Sequence, residues 1–93
     1  MKKPLINDLK YFLIKEFMQL NGFEVLPEDA NVFTRDTLTV SIVQNEQKDT
    51  SFMILSIKGE SLEPYFTGDL NLATLLGYLL WHRLIENYQI PKA

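Results

Sequence analysis

One histidine and one nearby glutamate are the residues of this chain whose spacing comes closest to a reactive site. His82 is the only histidine in 93 residues, and Glu86 follows it at the four-residue spacing that places two side chains on one helix face. Such a histidine can act as a general base or a metal ligand if a nucleophile or a second ligand lies beside it. The sequence places neither near His82, so we predict no catalytic residue, no metal site and no enzyme activity.

Other residue types that carry chemistry are missing or badly spaced. The chain contains no cysteine, which excludes disulfides, zinc–thiolate sites and iron–sulfur clusters and favours a reducing compartment. The acidic residues Glu28, Asp29, Glu46 and Asp49 lack the spacing of a calcium loop and are interpreted as turn residues. The four glycines form no phosphate-binding loop and the serines no nucleophile elbow, so no cofactor is expected.

The longest irregular stretch, residues 59–69, contains two adjacent aromatic residues, Tyr65 and Phe66. They could anchor a partner, because aromatic residues are enriched at binding hot spots. They could equally plug the end of a sheet, which is the commoner fate of aromatic residues in small domains and the interpretation we favour. A small-molecule site between this loop and His82 is an alternative function.

The charge distribution argues against nucleic acid as a partner. The net charge is −3, and residues 24–69 hold nine acidic and three basic residues, a net of −6. Acidic surface repels a phosphate backbone, although it could imitate one and act as a decoy for a nucleic-acid-binding protein. The N-terminal apolar stretch is interrupted by charges, and residues 70–81 are too few to span a bilayer, so a cytoplasmic protein without membrane contact is expected.

The first periodic segment, residues 5–21, predicts an amphipathic helix. Pro4 suits its start, and Gly22 suits the left-handed position just after its end. A second, weaker apolar stripe of Tyr11, Ile14 and Met18 indicates contacts on two sides of this helix. The main stripe, which we expect to pack on the sheet, contains Leu5, Ile6, Leu9, Leu13, Phe17 and Leu20.

Four shorter segments predict strands. Residues 37–44 alternate strictly, with Leu38, Val40 and Ile42 on one face. Residues 51–58 are apolar on both faces and predict a central strand. Residues 23–26 and 32–34 predict two short strands, separated by a turn over residues 27–31.

The last periodic segment, residues 70–88, has too much apolar surface for one contact. One side carries a broad apolar face that includes Tyr78 and Trp81, both expected in the core. The opposite side carries four leucines. One face can lie on the sheet, and the other requires the first helix or a second copy of the chain. The interface candidates are Leu72, Leu75, Leu76 and Leu79, together with Tyr65 and Phe66.

These observations predict one α+β domain over residues 1–93. Its fold is a two-layer sandwich in which a helix, two to four antiparallel strands and a second helix follow in order, with both helices on one face of the sheet. The expected function is that of a protein-interaction module, such as an adaptor, chaperone-like or regulatory protein, that docks a protein partner or forms a homodimer through its last helix. The sequence does not distinguish an internal helix pair from a dimer interface.

Overall fold

The fold was obtained as a computed structural model, which describes residues 2–36, 38–47, 70–81, 83–85 and 87–90, and the backbone course of 50–55 and 61–62. The described residues form an α+β arrangement of two helices and one antiparallel sheet. The strands follow one another across the sheet in chain order, so each neighbouring pair is joined without a crossover. The elements are α1 (Asp8–Leu20), β1 (Glu24–Leu26), β2 (Asp29–Arg35), β3 (Leu38–Gln44), β4 (Thr50–Leu55), β5 (Ser61–Leu62) and α2 (Leu72–Trp81).

Helix α1 begins three residues later than its apolar pattern predicts. Asn7 is the N-cap, and its Oδ1 accepts a hydrogen bond of 3.0 Å from the Lys10 backbone N–H. Such a cap satisfies a backbone donor that the first helical turn leaves open. The preceding residues are held elsewhere, because the Leu5 backbone N–H donates to the side chain of Asn31. At the other end, Gly22 adopts the predicted left-handed conformation with φ of 89°.

The sheet has five described strands, one more than the upper limit of the prediction. The fifth is the two-residue β5, which pairs with β4. The alternation in β3 is confirmed, since Val40 and Ile42 are buried and Leu38 packs against the core. The predicted turn over residues 27–31 is wrong in its second half, because β2 already starts at Asp29. The backbone N–H groups there bond to the Asp29 side chain and to the Lys2 carbonyl. A prediction from turn composition does not anticipate these partners.

Helix α2 is shorter than the apolar segment that contains it. It begins after Asn71, whose Oδ1 caps the helix by accepting from the Thr74 backbone N–H at 3.1 Å. It ends at Trp81, and Arg83 then adopts a positive φ of 56°. A left-handed residue terminates a helix, so the apolar residues beyond it continue as irregular chain.

The core lies between the sheet and the two helices. Both helices and the inward residues of β2 and β3 contribute to one buried cluster, which confirms that both helices cover the same face of the sheet. The largest fully buried side chains are Phe17, Phe33, Ile14, Met18, Leu70, Leu75, Leu79 and Val40.

Arg35, at the end of β2, joins the sheet to the ends of both helices. Its guanidinium donates to the carbonyl of Asn21, just after α1, at 2.9 Å, and to the carbonyl of Leu84, after α2, at 3.2 Å. Its Cζ lies 4.7 Å from the centroid of the Phe23 ring, within the range of a cation–π contact. Its stem also passes close to Gly22, where an added Cβ would lie 3.2 Å from Arg35 Cδ.

The orientation of α2 predicts unequal costs for the same substitution at two of its leucines. Leu75 is fully buried, whereas Leu80 is 40% exposed. We expect Leu75→Ala to lower the free energy of unfolding by about 2–5 kcal/mol, because it removes buried methyl groups and leaves a cavity. Leu80→Ala should cost at most about 1 kcal/mol. Urea denaturation followed by circular dichroism measures both, and equal losses would contradict this orientation.

Candidate interaction surface

The strongest apolar stripe of α1 faces away from the core. Leu9 is 70% exposed and Phe12 54% exposed, and Leu13 and Leu20 are exposed as well. The buried residues are instead Ile14, Phe17 and Met18, with Ile6 and Tyr11 packed against them. The expectation that the main stripe packs on the sheet is therefore wrong for all its members except Ile6 and Phe17. The helix is rotated by roughly 100° from the orientation that apolar content alone favours.

Two polar contacts account for this rotation. The Tyr11 hydroxyl donates to the Ala30 carbonyl at 2.8 Å, and its ring lies 6.4 Å from that of Phe33, centroid to centroid. Six residues earlier, before the helix begins, the Leu5 backbone N–H donates to Asn31 Oδ1 at 2.8 Å. These bonds fix the side of α1 that carries Tyr11 against β2, so the stripe that contains Leu9 is left outside.

Helix α2 also presents apolar residues to solvent. Trp81 is 83% exposed and Leu80 40%, and Ala73, Thr74 and Gly77 complete the outer face. The expectation of a core position is wrong for Trp81, whereas Tyr78 is half-buried and packs against the core, where burial raises the pKa of its hydroxyl. Apart from its chain neighbours and the backbone of its own helix, no described atom lies within 4 Å of the position that a Cβ on Gly77 would take.

The four leucines proposed as interface candidates lie on the inner side of α2. Leu75 and Leu79 are fully buried within the chain, and Leu72 and Leu76 are half-buried and pack against the core. The sequence left open whether these leucines pack inside one chain or at a dimer interface. Leu75 and Leu79 pack inside the chain. Whether Leu72 and Leu76 also meet a partner stays a prediction.

The exposed stripe of α1 borders the segment that follows α2. Phe17 is a neighbour of Leu13 and Leu20 around the helix, and its ring lies 6.4 Å from that of Tyr88. The side chain of Asn21 pairs with the Gln89 backbone, accepting from its N–H at 2.8 Å and donating to its carbonyl at 2.9 Å. The α1 stripe therefore lies beside the chain that follows α2. We call the exposed apolar residues of the two helices together the helical apolar surface. Its members are Leu9, Phe12, Leu13, Leu20, Leu80 and Trp81.

A second polar cluster surrounds Asn31, which is 3% exposed. Its Nδ2 donates to the Lys3 carbonyl at 2.9 Å and to Asp29 Oδ1 at 3.0 Å, while its Oδ1 accepts from Leu5. Asp29 Oδ1 also accepts from the Asn31 backbone N–H at 2.9 Å. The hydrogen bond from the Asn31 backbone, above all, holds the pKa of the Asp29 carboxyl below its ordinary value of 3.8.

Several predicted site residues lie outside the described part of the chain. These are His82, Glu86, Tyr65 and Phe66, so the small-molecule site near residues 59–69 stays a prediction. Among the residues that the structure does describe, no group of three or more histidine, aspartate or glutamate residues is placed to hold a metal ion. No described helix has the length and apolar character required to cross a membrane.

Sequence reasoning missed two residues that matter here. Phe12 belongs to neither predicted stripe of α1, although its three-residue spacing from Leu9 was a usable signal. Asn31 was included in a predicted turn, because asparagine is common in turns and nothing local distinguishes one that is buried.

The exposure of Trp81 predicts the fluorescence of the chain, which contains no other tryptophan. In dilute protein we expect emission close to that of fully hydrated indole and quenching by iodide close to that of the urea-unfolded chain. The physical reason is that about four-fifths of this residue is in contact with water. Blue-shifted emission with strong protection from iodide in dilute protein would place Trp81 in the core.

The lowered pKa of Asp29 predicts an acid-dependent loss of stability. Because the folded chain binds the proton less tightly than the unfolded chain, the ionised carboxyl stabilises the fold above its ordinary pKa, and this contribution is lost as the pH falls through the lowered value. We expect Asp29→Asn to be less stable than the parent near neutral pH and the difference to vanish in strong acid. Urea unfolding at a series of pH values measures this. Glu46→Gln, at an exposed turn residue, is the control. A stability difference between Asp29→Asn and the parent protein that persists in strong acid would contradict this prediction.

Comparison with protein-family models, with curated proteins and with solved structures finds no match to this chain. What the surface does must therefore follow from its own residues, their exposure and their charge.

Proposed function

We propose that the protein is a small protein-interaction module that self-associates through the helical apolar surface. The observation that carries this proposal is the outward orientation of the main apolar stripe of α1, led by Leu9 at 70% exposed. The sequence prediction of an interaction module is kept, but the contact surface moves from the leucines inside α2 to α1 and the outer face of α2. Enzyme activity forms no part of the proposal.

The size of the surface supports a binding role. Single exposed apolar residues are ordinary on soluble proteins, whereas contiguous patches of several hundred Å² mark contact sites. With about 100 Å² for a fully exposed leucine side chain and up to about 250 Å² for tryptophan, the six residues expose about 500 Å², about half of it on each helix. A standard interface buries about 800 Å² on each partner, so a rim of polar residues would complete it.

A second copy of the chain is the partner that the charges favour. The described residues of α2 carry no charge, and Glu16 is the one charged residue within the α1 stripe. In a two-fold dimer the same patch meets itself, so any charge on it would oppose its own copy. An almost uncharged apolar patch avoids this repulsion in a chain whose net charge is −3. A cytoplasmic location agrees with the absence of cysteine, which leaves the chain nothing to oxidise to a disulfide.

Leu9→Glu tests the proposal, because the residue is highly exposed and lies in the first turn of α1. A glutamate there suits the positive end of the helix dipole, so the free energy of unfolding should change by less than about 1 kcal/mol. We expect the parent protein to have twice the mass of one chain at high concentration, and the variant to have the mass of one chain. Light scattering behind a sizing column, over a wide concentration range, measures both.

Gln47→Glu is the control, because it adds the same charge at an exposed turn residue after β3, outside both helices. This variant should keep the parent mass. A parent protein that is monomeric at every concentration would overturn self-association, and a dimer that tolerates Leu9→Glu would exclude this surface.

A further inference from the structure

The exposed stripe of α1 has the residue spacing of a seam between two paired helices. Leu9, Leu13 and Leu20 are all exposed. Glu16 falls between them, so that successive residues of the stripe are four, three and four positions apart. These are the intervals between the a and d positions of a heptad repeat, which face the partner when two helices pair. One carboxylate therefore occupies a position in the stripe where an apolar side chain would pack.

Glu16 has only uncharged neighbours on its side of the helix. The residues one turn before and one turn after it are Phe12, Leu13, Gln19 and Leu20. The Glu16 side chain is already half-buried on this outward side. A surface that covers the stripe would remove the rest of the carboxylate from water. The other charged residues of α1, which lie about 80–120° away around the helix, are Asp8, Lys10 and Lys15.

The two elements packed against α1 bring no cation to this position. Helix α2 is uncharged over its whole length. The one charged residue of β1 is Glu24, which is exposed. The next residue, Val25, packs against the core, so Glu24 lies on the opposite face of the sheet from α1.

The nearest cations outside these elements have other positions or partners. Arg35 donates to carbonyls that follow the two helices. Lys2 lies near Asp29, beside β2. Arg83 is exposed beyond the end of α2. Within the described part of the chain, none of these cations forms an ion pair with Glu16.

We propose that two copies of the chain pair α1 against α1 about a two-fold axis, and that the two Glu16 carboxylates make this self-association depend on protons. The inference rests on the proposed function and adds its geometry and its regulation. The stripe runs from residue 9 to residue 20, so Glu16 lies about 2 Å from its midpoint along the helix. Whether the axis sets the helices parallel or antiparallel, Glu16 lies close to its own copy.

Two effects then favour the protonated form of Glu16 in the dimer. Covering the carboxylate removes its hydration, and the second carboxylate adds like-charge repulsion. The dimer therefore binds protons more tightly than two separate chains do, so association strengthens as the pH falls from neutral. Uptake of two protons for each dimer would lower the dissociation constant by up to about 100-fold for each pH unit where the dependence is steepest.

Glu16→Gln tests the inference, because it removes the charge and keeps the size of the side chain. At neutral pH we expect its dimer to have a dissociation constant at least about tenfold lower than that of the parent. At mildly acidic pH the parent should approach the variant, whose own constant should change by less than about threefold. Light scattering behind a sizing column over a range of concentrations gives the constants, and circular dichroism checks that each protein is folded at each pH.

Glu24→Gln is the matched control, because it makes the same change of net charge on the other face of the sheet. It should behave as the parent does at both pH values. If the two variants dimerise equally at neutral pH, self-association stands and the role of Glu16 is overturned. If the parent and both variants have the mass of one chain at every concentration and pH, self-association and its proton dependence both fail.

Discussion

The position of Arg35 is the constraint on which the arrangement of the two helices depends. Its guanidinium reaches from the end of β2 to carbonyls that follow α1 and α2. The C-terminal end of a helix carries partial negative charge, so one cation at this point stabilises both helix ends. Arginine can do this because its planar fork directs several donors at once while its face stacks on an aromatic ring, here that of Phe23.

The outward faces follow from this junction and from the bonds at the other end of α1. Arg35 holds the C-terminal ends of both helices in position against the sheet. Tyr11 and Asn31 set the rotation of α1 about its axis. Ile14, Phe17 and Met18 then enter the core, and the equally apolar Leu9 and Leu13 do not. The exposed apolar surface is thus a consequence of polar contacts that select one of two suitable faces.

Sequence reasoning predicted the features that depend on local signals. The alternation of β3 and the left-handed position of Gly22 are of this kind, and both are confirmed. The rotation of α1 could not be predicted, because it depends on partners 19 and 26 residues away along the chain. The early start of β2 also depends on a distant segment, residues 2–5. The exposed position of Trp81 has a similar cause, since leucines on the opposite side of α2 compete for the same core and fill it.

Gly77 gives α2 an uneven local stability. In the middle of a helix, glycine is less favourable than alanine by about 1 kcal/mol, and among the described residues no side chain beyond its chain neighbours lies within 4 Å of where its Cβ would be. Tertiary contacts therefore stabilise the final turn of α2. These are the packing of the buried Leu79 in the core and, beyond the end of the helix, the hydrogen bond from Arg35 to the Leu84 carbonyl. Helices with such a weak point open locally at a lower free energy than the whole domain unfolds. The turn that carries Trp81 is consequently the part of α2 whose backbone opens at the lowest free energy.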